Sequence, residues 1–359
     1  MEFFLIAMAL FAAFSNGAND NFKGFATVWG SNTLSYRQAL ILATVATVAG
    51  SLVSWLFATT LVQEFSGKGL VPDLVANSPN FLLSVAGGAG MTVFLATRIG
   101  LPVSTTHALI GGLVGAGLAQ TGGEVHFAKL GSVFLLPLLA SPLVAASLGA
   151  VGFSLLRLRR TEKDCACVTT VTPAAIQPTD TMAFQSTVIP RLVIAEPAEC
   201  LPLVPQASFS VTRLLDRLHV ASAISICFAR GVNDTPKLAA LLLAAHWING
   251  QLSVGVIGMV MAIGGFVFAR QVAETMSQRV TRMDSTQGLA ANLITASLVL
   301  FASKWGFPVS TTHVSVGAIA GVGASASTLN PTELRNIMLS WIATLPLAMI
   351  ISWTLVKVI

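Results

Sequence analysis

The chain has 359 residues, of which 54% are hydrophobic and only 10% charged, with 20 Lys and Arg set against 15 Asp and Glu. A soluble domain of this length needs far more charge to cover its surface, so the composition excludes an ordinary water-soluble globule and points to lipid. The cations are scattered at the ends of apolar segments and in one loop instead of forming a stripe, which argues against nucleic-acid binding and fits the loop charge bias of a membrane protein.

Taken in chain order, residues 1–30 form an apolar stretch broken at 15–19, and its first 13 residues lack the basic region of a cleaved signal peptide. Segment 37–61 is long enough to cross a bilayer, which takes about 20 apolar residues in a helix. Residues 81–120 are apolar but broken at 100–102, and 130–157 form a second full span. The stretch 158–212 then changes character. It holds Pro173, Pro178, Pro190, Pro197, Pro202 and Pro205 and most of the loop charge, and reads as a partly disordered linker in water. Cys165, Cys167 and Cys200 lie there with no His or second Cys pair to complete a metal site, so they read as thiols. Beyond it come 217–247 broken at 230–234, the full span 249–270, 288–324 broken at 306–308, and the full span 336–358. The fragments on each side of a break are too short to span, which predicts broken or re-entrant helices. The expected fold is an all-α polytopic membrane protein with roughly 10–12 membrane segments.

Two motifs occur twice in the same order. GANDNFK, starting at Gly17, matches GVNDTPK, starting at Gly231, and GLPVSTTHALIGG, starting at Gly100, matches GFPVSTTHVSVGA, starting at Gly306. Six consecutive identities in PVSTTH mark a duplicated unit. The expected organisation is a first repeat over 1–157, the linker over 158–212 and a second repeat over 213–359. Arg157, Arg159, Arg160 and Lys163 begin the linker and Arg213 and Arg217 end it, which places it in the cytoplasm. Counting spans back from there puts the loop 62–80, with Glu64, Asp73 and Lys68, outside. Its counterpart 271–287, with Arg279 and Arg282, is then inside, so the repeats are inverted.

Inverted repeats with broken helices describe secondary transporters, whose substrate site lies near the midplane where the repeats meet. Ser104, Thr105 and Thr106 follow Pro102, and Ser310, Thr311 and Thr312 follow Pro308, each triplet placed to open a half-helix. Free N–H groups and the positive dipole end at such a terminus attract an anion. Ordinary N-capping by Ser or Thr is the alternative, and the recurrence of the triplet inside apolar sequence favours a ligand site. Asp20 and Asp234 are carboxylates at membrane depth, where ionised groups are costly and mark functional sites. They suit a coupling cation, or a hydrogen bond from a protonated oxyanion, and Asn19 and Asn233 supply hard oxygen beside them. Lys23 and Lys237 stand three residues after each Asp, a helical spacing at which each neutralises its carboxylate or touches an anion directly. Arg98 and Lys304 recur before the triplets, at the surface if the helices span and near the site if they re-enter. His107 and His313 read as capping or packing residues, in preference to a proton relay.

These paired motifs, halves and basic central loop resemble the inorganic phosphate transporter (PiT) family over both repeats. The resemblance implies uptake of inorganic phosphate coupled to Na⁺ or H⁺ by alternating access, with no enzymatic activity and no cofactor besides the coupling ion. It points to Asn19, Asp20, Ser104, Thr105 and Thr106, and equally to Asn233, Asp234, Ser310, Thr311 and Thr312, as substrate residues. Asn19, Asp20, Asn233 and Asp234 are also the expected sodium ligands. In the family an asparagine commonly stands where this chain has Lys23, so the resemblance sets the Na⁺ expectation against a shift toward H⁺. Sulfate or another oxyanion is the alternative substrate and a passive anion channel the alternative mode. The retained carboxylates favour phosphate, because hydrogen phosphate has a proton to donate and sulfate has none at neutral pH. The expected location is a plasma or inner membrane, with lipid as surroundings and a homodimer suggested by the resemblance alone.

Overall fold

The computed structural model describes residues 1–57, 59–157, 165–171, 189–195, 208–243, 249–280 and 283–359. Arg159, Arg160, Lys163, Cys200 and Arg282, used above for topology and thiol chemistry, lie outside the described residues. Eleven helices carry the architecture: α1 Glu2–Asp20, α2 Ala26–Gly30, α3 Tyr36–Phe57, α4 Pro79–Arg98, α5 Thr105–Thr121, α6 Leu136–Arg157, α7 Val211–Leu243, α8 Gly250–Glu274, α9 Ser285–Trp305, α10 Thr311–Ser325 and α11 Pro331–Val358. The chain divides into two compact units, one made of Met1–Ser154 with His219–Ile359 and the other of Leu155–Leu218.

The larger unit is helical and built for lipid. Among the described residues seven segments are long and apolar enough to cross a membrane: Glu2–Gly30, Tyr36–Leu56, Pro79–Arg98, Phe127–Leu155, Gly250–Arg279, Ser285–Trp305 and Pro331–Val358. Three more apolar-core helices fall outside that set, α7 through its charges and α5 and α10 through their lengths of 17 and 15 residues. At 1.5 Å per residue α5 and α10 are about 26 and 23 Å long, less than the roughly 30 Å of a hydrocarbon core. Outward-facing Val45, Leu52, Leu56, Leu139, Leu143, Phe266 and Ile342 are all exposed, which is stable only in an apolar surround.

Two of the four expected breaks occur as read. Gly100 and Gly306 take left-handed φ values of 74° and 73° and end α4 and α9, after which Ser104 and Ser310 start α5 and α10. The other two expectations need correction. The first helix is not broken at 15–19; α1 runs through to Asp20 and yields to a single 3₁₀ turn at Lys23–Phe25 before α2. Nor is there a break at 230–234, because α7 continues for 33 residues with Pro236 inside it. Polar side chains at membrane depth break a helix only when they cannot find partners, and here the partners come from neighbouring helices.

The smaller unit, read from sequence as a partly disordered linker, holds strands among its described residues: β1 Cys165–Val171 pairs antiparallel with β2 Ile189–Ala195 and with β3 Ser208–Ser210, in the order β2-β1-β3. Runs such as CACVTTV and PRLVIA are rich in β-branched residues, the composition that suits a pleated strand.

Helices from the two sequence halves interleave in the larger unit. From the first half, α1 and α3 pack on α8; from the second, α11 packs on α4 and α5. Small residues permit this, since association in lipid relies on close van der Waals contact. A Cβ added at Gly115 of α5 would lie 2.1 Å from Met349 O, and one at Gly321 of α10 would lie 2.0 Å from Ala146 O. These glycines are equivalent positions just beyond the duplicated motif, at the same offset, so the same tight crossing is made twice. Gly115→Val and Gly321→Val are each expected to destabilise the protein by about 1–3 kcal/mol through overpacking. Gly131→Ala, with nothing within 4 Å, is the control. Thermal unfolding in detergent checks this, and glycine variants as stable as the control would contradict the close crossing.

Candidate functional site

The motif residues converge where the end of α1 and the middle of α7 meet the starts of α5 and α10. All ten residues expected at the site are buried, as are Lys23, Lys237 and Arg230. Ser104 caps α5 by accepting from His107 N at 3.1 Å, and Ser310 caps α10 by accepting from His313 N at 3.3 Å. The capping alternative is therefore realised for the two serines, whose O–H hydrogens stay free to donate. The first N–H groups of each helix have no intrahelical acceptor, so two positive helix ends face the same interior region.

The asparagines hold the breaks. Asn19 Nδ2 donates to Thr97 Oγ1 at 2.9 Å and to Leu101 O at 3.0 Å, while its Oδ1 accepts from Val103 N at 3.1 Å. Asn233 repeats the role in the second half: its Oδ1 accepts from Ser303 Oγ at 3.1 Å and its Nδ2 donates to Val309 O at 3.4 Å. Each asparagine side chain thus bonds backbone freed where two half-helices separate, which lets irregular chain exist at membrane depth.

The carboxylates and lysines form two equivalent arrangements that cross between halves. Lys23 Nζ contacts Asp20 Oδ1 in a buried ion pair and donates to Asn19 Oδ1 at 2.9 Å, Val103 O at 2.9 Å and Thr312 Oγ1 at 2.6 Å. Lys237 Nζ lies 3.4 Å from Asp234 Oδ1 and donates to Val309 O at 2.8 Å and Thr106 Oγ1 at 2.9 Å. The threonines complete the pattern, with Thr312 Oγ1 donating to Val103 O at 2.9 Å and Thr106 Oγ1 to Val309 O at 3.3 Å. Each lysine therefore neutralises its own carboxylate, as its spacing implied, and also reaches a threonine of the other half.

Symmetry fails at one pair of positions that motif matching missed. Asn16 and Arg230 sit one residue before the two matched segments, in the same register, but differ in identity. Arg230 Nη2 donates to Asn16 Oδ1 at 2.9 Å, and its Nε lies 3.6 Å from Asp234 Oδ2. Asn16 Nδ2 in turn lies 2.9 Å from Thr105 Oγ1, 3.1 Å from Asp20 Oδ2 and 3.4 Å from Asp234 Oδ2, bridging the two carboxylates. Thr105 Oγ1 donates to Asp20 Oδ2 at 3.2 Å, whereas its counterpart Thr311 makes no such bond to Asp234. The signal for Arg230 and Asn16 was present as the shared offset, hidden because only identities were compared.

The remaining candidates lie apart from this cluster. Arg98 and Lys304 are exposed, the outcome expected of helices that reach a surface, and Arg98 lies over the Phe268 ring. His107 and His313 pack together with ring centroids 4.5 Å apart, and His313 packs on Trp341 at 3.9 Å. Among the described residues no group of three or more His, Cys, Asp or Glu is placed to hold a metal ion.

A charged, fully buried cluster inside a shell of lipid-facing helices defines a polytopic membrane protein of the transporter class. Comparison with known proteins narrows this. The profile of the phosphate transporter family matches residues 16–352, and the chain belongs to that family. It is 30% identical to a phosphate permease of Pyrococcus furiosus, covering 98% of this chain and 94% of that one. It is 27% identical to the chloroplastic inorganic phosphate transporter 2-1 of Arabidopsis thaliana, covering 100% of this chain and 73% of the other. A solved structure titled as the sodium-dependent phosphate transporter shares the fold, with a TM-score of 0.79 at 23% identity over 99% of this chain and 98% of that one.

Removing one partner from a buried ion pair leaves a charge that cannot reach water and costs about 3–5 kcal/mol. Asp234→Ala strands both Lys237 and Arg230, so its unfolding temperature is expected to fall far below that of Thr354→Val, which removes only an exposed hydroxyl bonded within its own helix. Equal effects of the two substitutions would contradict the paired arrangement.

Proposed function

We propose that this protein is a secondary active transporter of inorganic phosphate, driven by the gradient of a small cation and working by alternating access. The observation that supports it most is the meeting of two helix N-termini from different sequence halves, with Thr106, Thr312, Lys23 and Lys237 between them. Such termini bind anions through free N–H groups, and lysine and hydroxyl donors suit a phosphate oxygen. Family membership supplies the choice among oxyanions. Ser104 and Ser310 present hydroxyl donors to substrate, and Thr105, Thr106, Thr311 and Thr312 join them once the bonds of Thr105 to Asp20, Thr106 to Val309 O and Thr312 to Val103 O are exchanged. Asn19 and Asn233 hold the two breaks open, and Asp20 and Asp234 orient the lysines. Because Lys23 bonds Thr312 and Lys237 bonds Thr106, any motion of one half against the other has to exchange these bonds, which gives the site two arrangements to alternate between.

The paired motifs support a duplicated chain with repeats over 1–157 and 213–359, and the basic flanks of 158–212 support a cytoplasmic linker under a plasma or inner membrane. Reconstituted into liposomes with imposed Na⁺ and pH gradients together, the protein is expected to accumulate labelled phosphate above its equilibrium level. An excess of unlabelled phosphate is expected to compete and sulfate is not. Uptake that stops at equilibrium contradicts a coupled transporter, and competition by sulfate alone contradicts the substrate. Thr106→Val and Thr312→Val each remove one hydroxyl that bonds the opposing lysine and that the exchange turns to substrate, and they are expected to weaken phosphate affinity by about 1–3 kcal/mol, measured as a rise in the half-saturating phosphate concentration.

A further inference from the structure

The solved relative of the same fold is titled sodium-dependent, which makes the fit of Na⁺ to these residues a direct question. Na⁺ is a hard cation that takes carboxylate, carbonyl and hydroxyl oxygens with free lone pairs. Such oxygens are gathered twice here, and a lysine nitrogen already stands among each set. Around Lys23 Nζ they are Asp20 Oδ1, Asn19 Oδ1, Val103 O and Thr312 Oγ1. Around Lys237 Nζ they are Asp234 Oδ1, Val309 O and Thr106 Oγ1. Because Thr312 and Thr106 donate their own hydrogens to Val103 O and Val309 O, they offer lone pairs to the lysines, as they would to a metal cation.

The oxygens that the lysines do not contact are committed as well. Asp20 Oδ2 accepts from Asn16 Nδ2 and Thr105 Oγ1, and Asp234 Oδ2 accepts from Asn16 Nδ2 and faces Arg230. Asn233 Oδ1 accepts from Ser303 Oγ. Each side-chain oxygen of Asn19, Asp20, Asn233 and Asp234 therefore meets at least one N–H or O–H donor, and the place among the oxygens where Na⁺ would stand is held in both sets by a lysine Nζ, so the set as arranged does not fit Na⁺.

Charge leads to the same result. Asp20 and Lys23 face the cluster from the α1 side and Arg230, Asp234 and Lys237 from α7, while α5 and α10 bring His107 and His313 as their titratable groups. Two carboxylates against Lys23, Lys237 and Arg230 leave one net positive charge. Adding Na⁺ raises that excess in a region with no water to screen it, which is costly, whereas a singly charged oxyanion brings it to neutrality alone.

We propose that in this chain the ammonium groups of Lys23 and Lys237 take the places of coupling Na⁺, so that phosphate movement does not require Na⁺. The proposal rests on the reading of the site as a phosphate site, and it leaves as the coupling cation the proton, which adds no charge to the cluster when it is carried on the phosphate as the singly charged dihydrogen form. In proteoliposomes under an imposed pH gradient, replacing all Na⁺ by choline is expected to leave the initial rate of phosphate uptake unchanged. A fall of about tenfold, equivalent to roughly 1.4 kcal/mol of coupling, overturns the proposal while leaving phosphate transport intact. Absence of uptake under every cation overturns both readings. Equilibrium binding of labelled Na⁺ to the purified wild-type protein gives an independent measure that needs no variant. None is expected with or without phosphate, and stoichiometric Na⁺ binding promoted by phosphate overturns the proposal. Lys23→Asn vacates one oxygen set and is expected to gain Na⁺ binding, while a folded variant that still binds none removes the role assigned to Lys23.

Discussion

The structure depends on keeping two carboxylates and three cations together where no water reaches them. An isolated charge at membrane depth is costly, and a paired one is far less so when most of its remaining donors and acceptors also find partners. Neither half of the sequence manages this alone. Lys23 completes its bonds on Thr312, Lys237 on Thr106, and Arg230 on Asn16, each time across the division between the halves. Interleaving of the helices follows from that need. For these side chains to meet, the end of α1 has to reach α7 and the start of α10, and α7 the start of α5; α8 packs on α1 and α11 on α5 around them, and glycine at those crossings makes the approach close.

Within this frame the two motifs divide their labour in a way that their spelling does not reveal. The asparagine of each Asn-Asp pair fixes a helix break, the aspartate anchors a lysine, and the lysine carries the contact to the other half. In PVSTTH the serine caps the helix, the last threonine meets the opposing lysine, and the histidine packs on its counterpart. The arrangement is twofold in these respects and departs from it at Asn16 and Arg230. That single difference sets the net positive charge of the cluster. It also makes Asn16, an uncharged residue, the bridge between the two carboxylates.

Much of this was legible in the sequence because duplication amplifies a weak signal. One Ser-Thr-Thr triplet after a proline has several readings, and two in matched register inside apolar sequence have far fewer. The real helix breaks were visible where glycine and proline coincide, at 100–102 and 306–308, because backbone chemistry is local. The breaks expected at 15–19 and 230–234 were misread because polarity signals a break only when its partners are absent, and partners 70 to 218 residues away are not visible to a local reading. Asn16 and Arg230 escaped because identity matching finds what the halves share and passes over what they do not. The strands at Cys165–Val171 and Ile189–Ala195 were masked by the surrounding prolines, although their β-branched content was there to be read.

The central claim is that the two halves build one anion site between them. Equilibrium binding of labelled phosphate to the purified protein tests it most directly, because stoichiometry distinguishes a shared site from two separate ones. The account predicts one phosphate per chain, with affinity weakened to a similar extent whether Thr106 or Thr312 is replaced by valine. Two phosphates per chain, or binding that responds to only one of the two threonines, would contradict it.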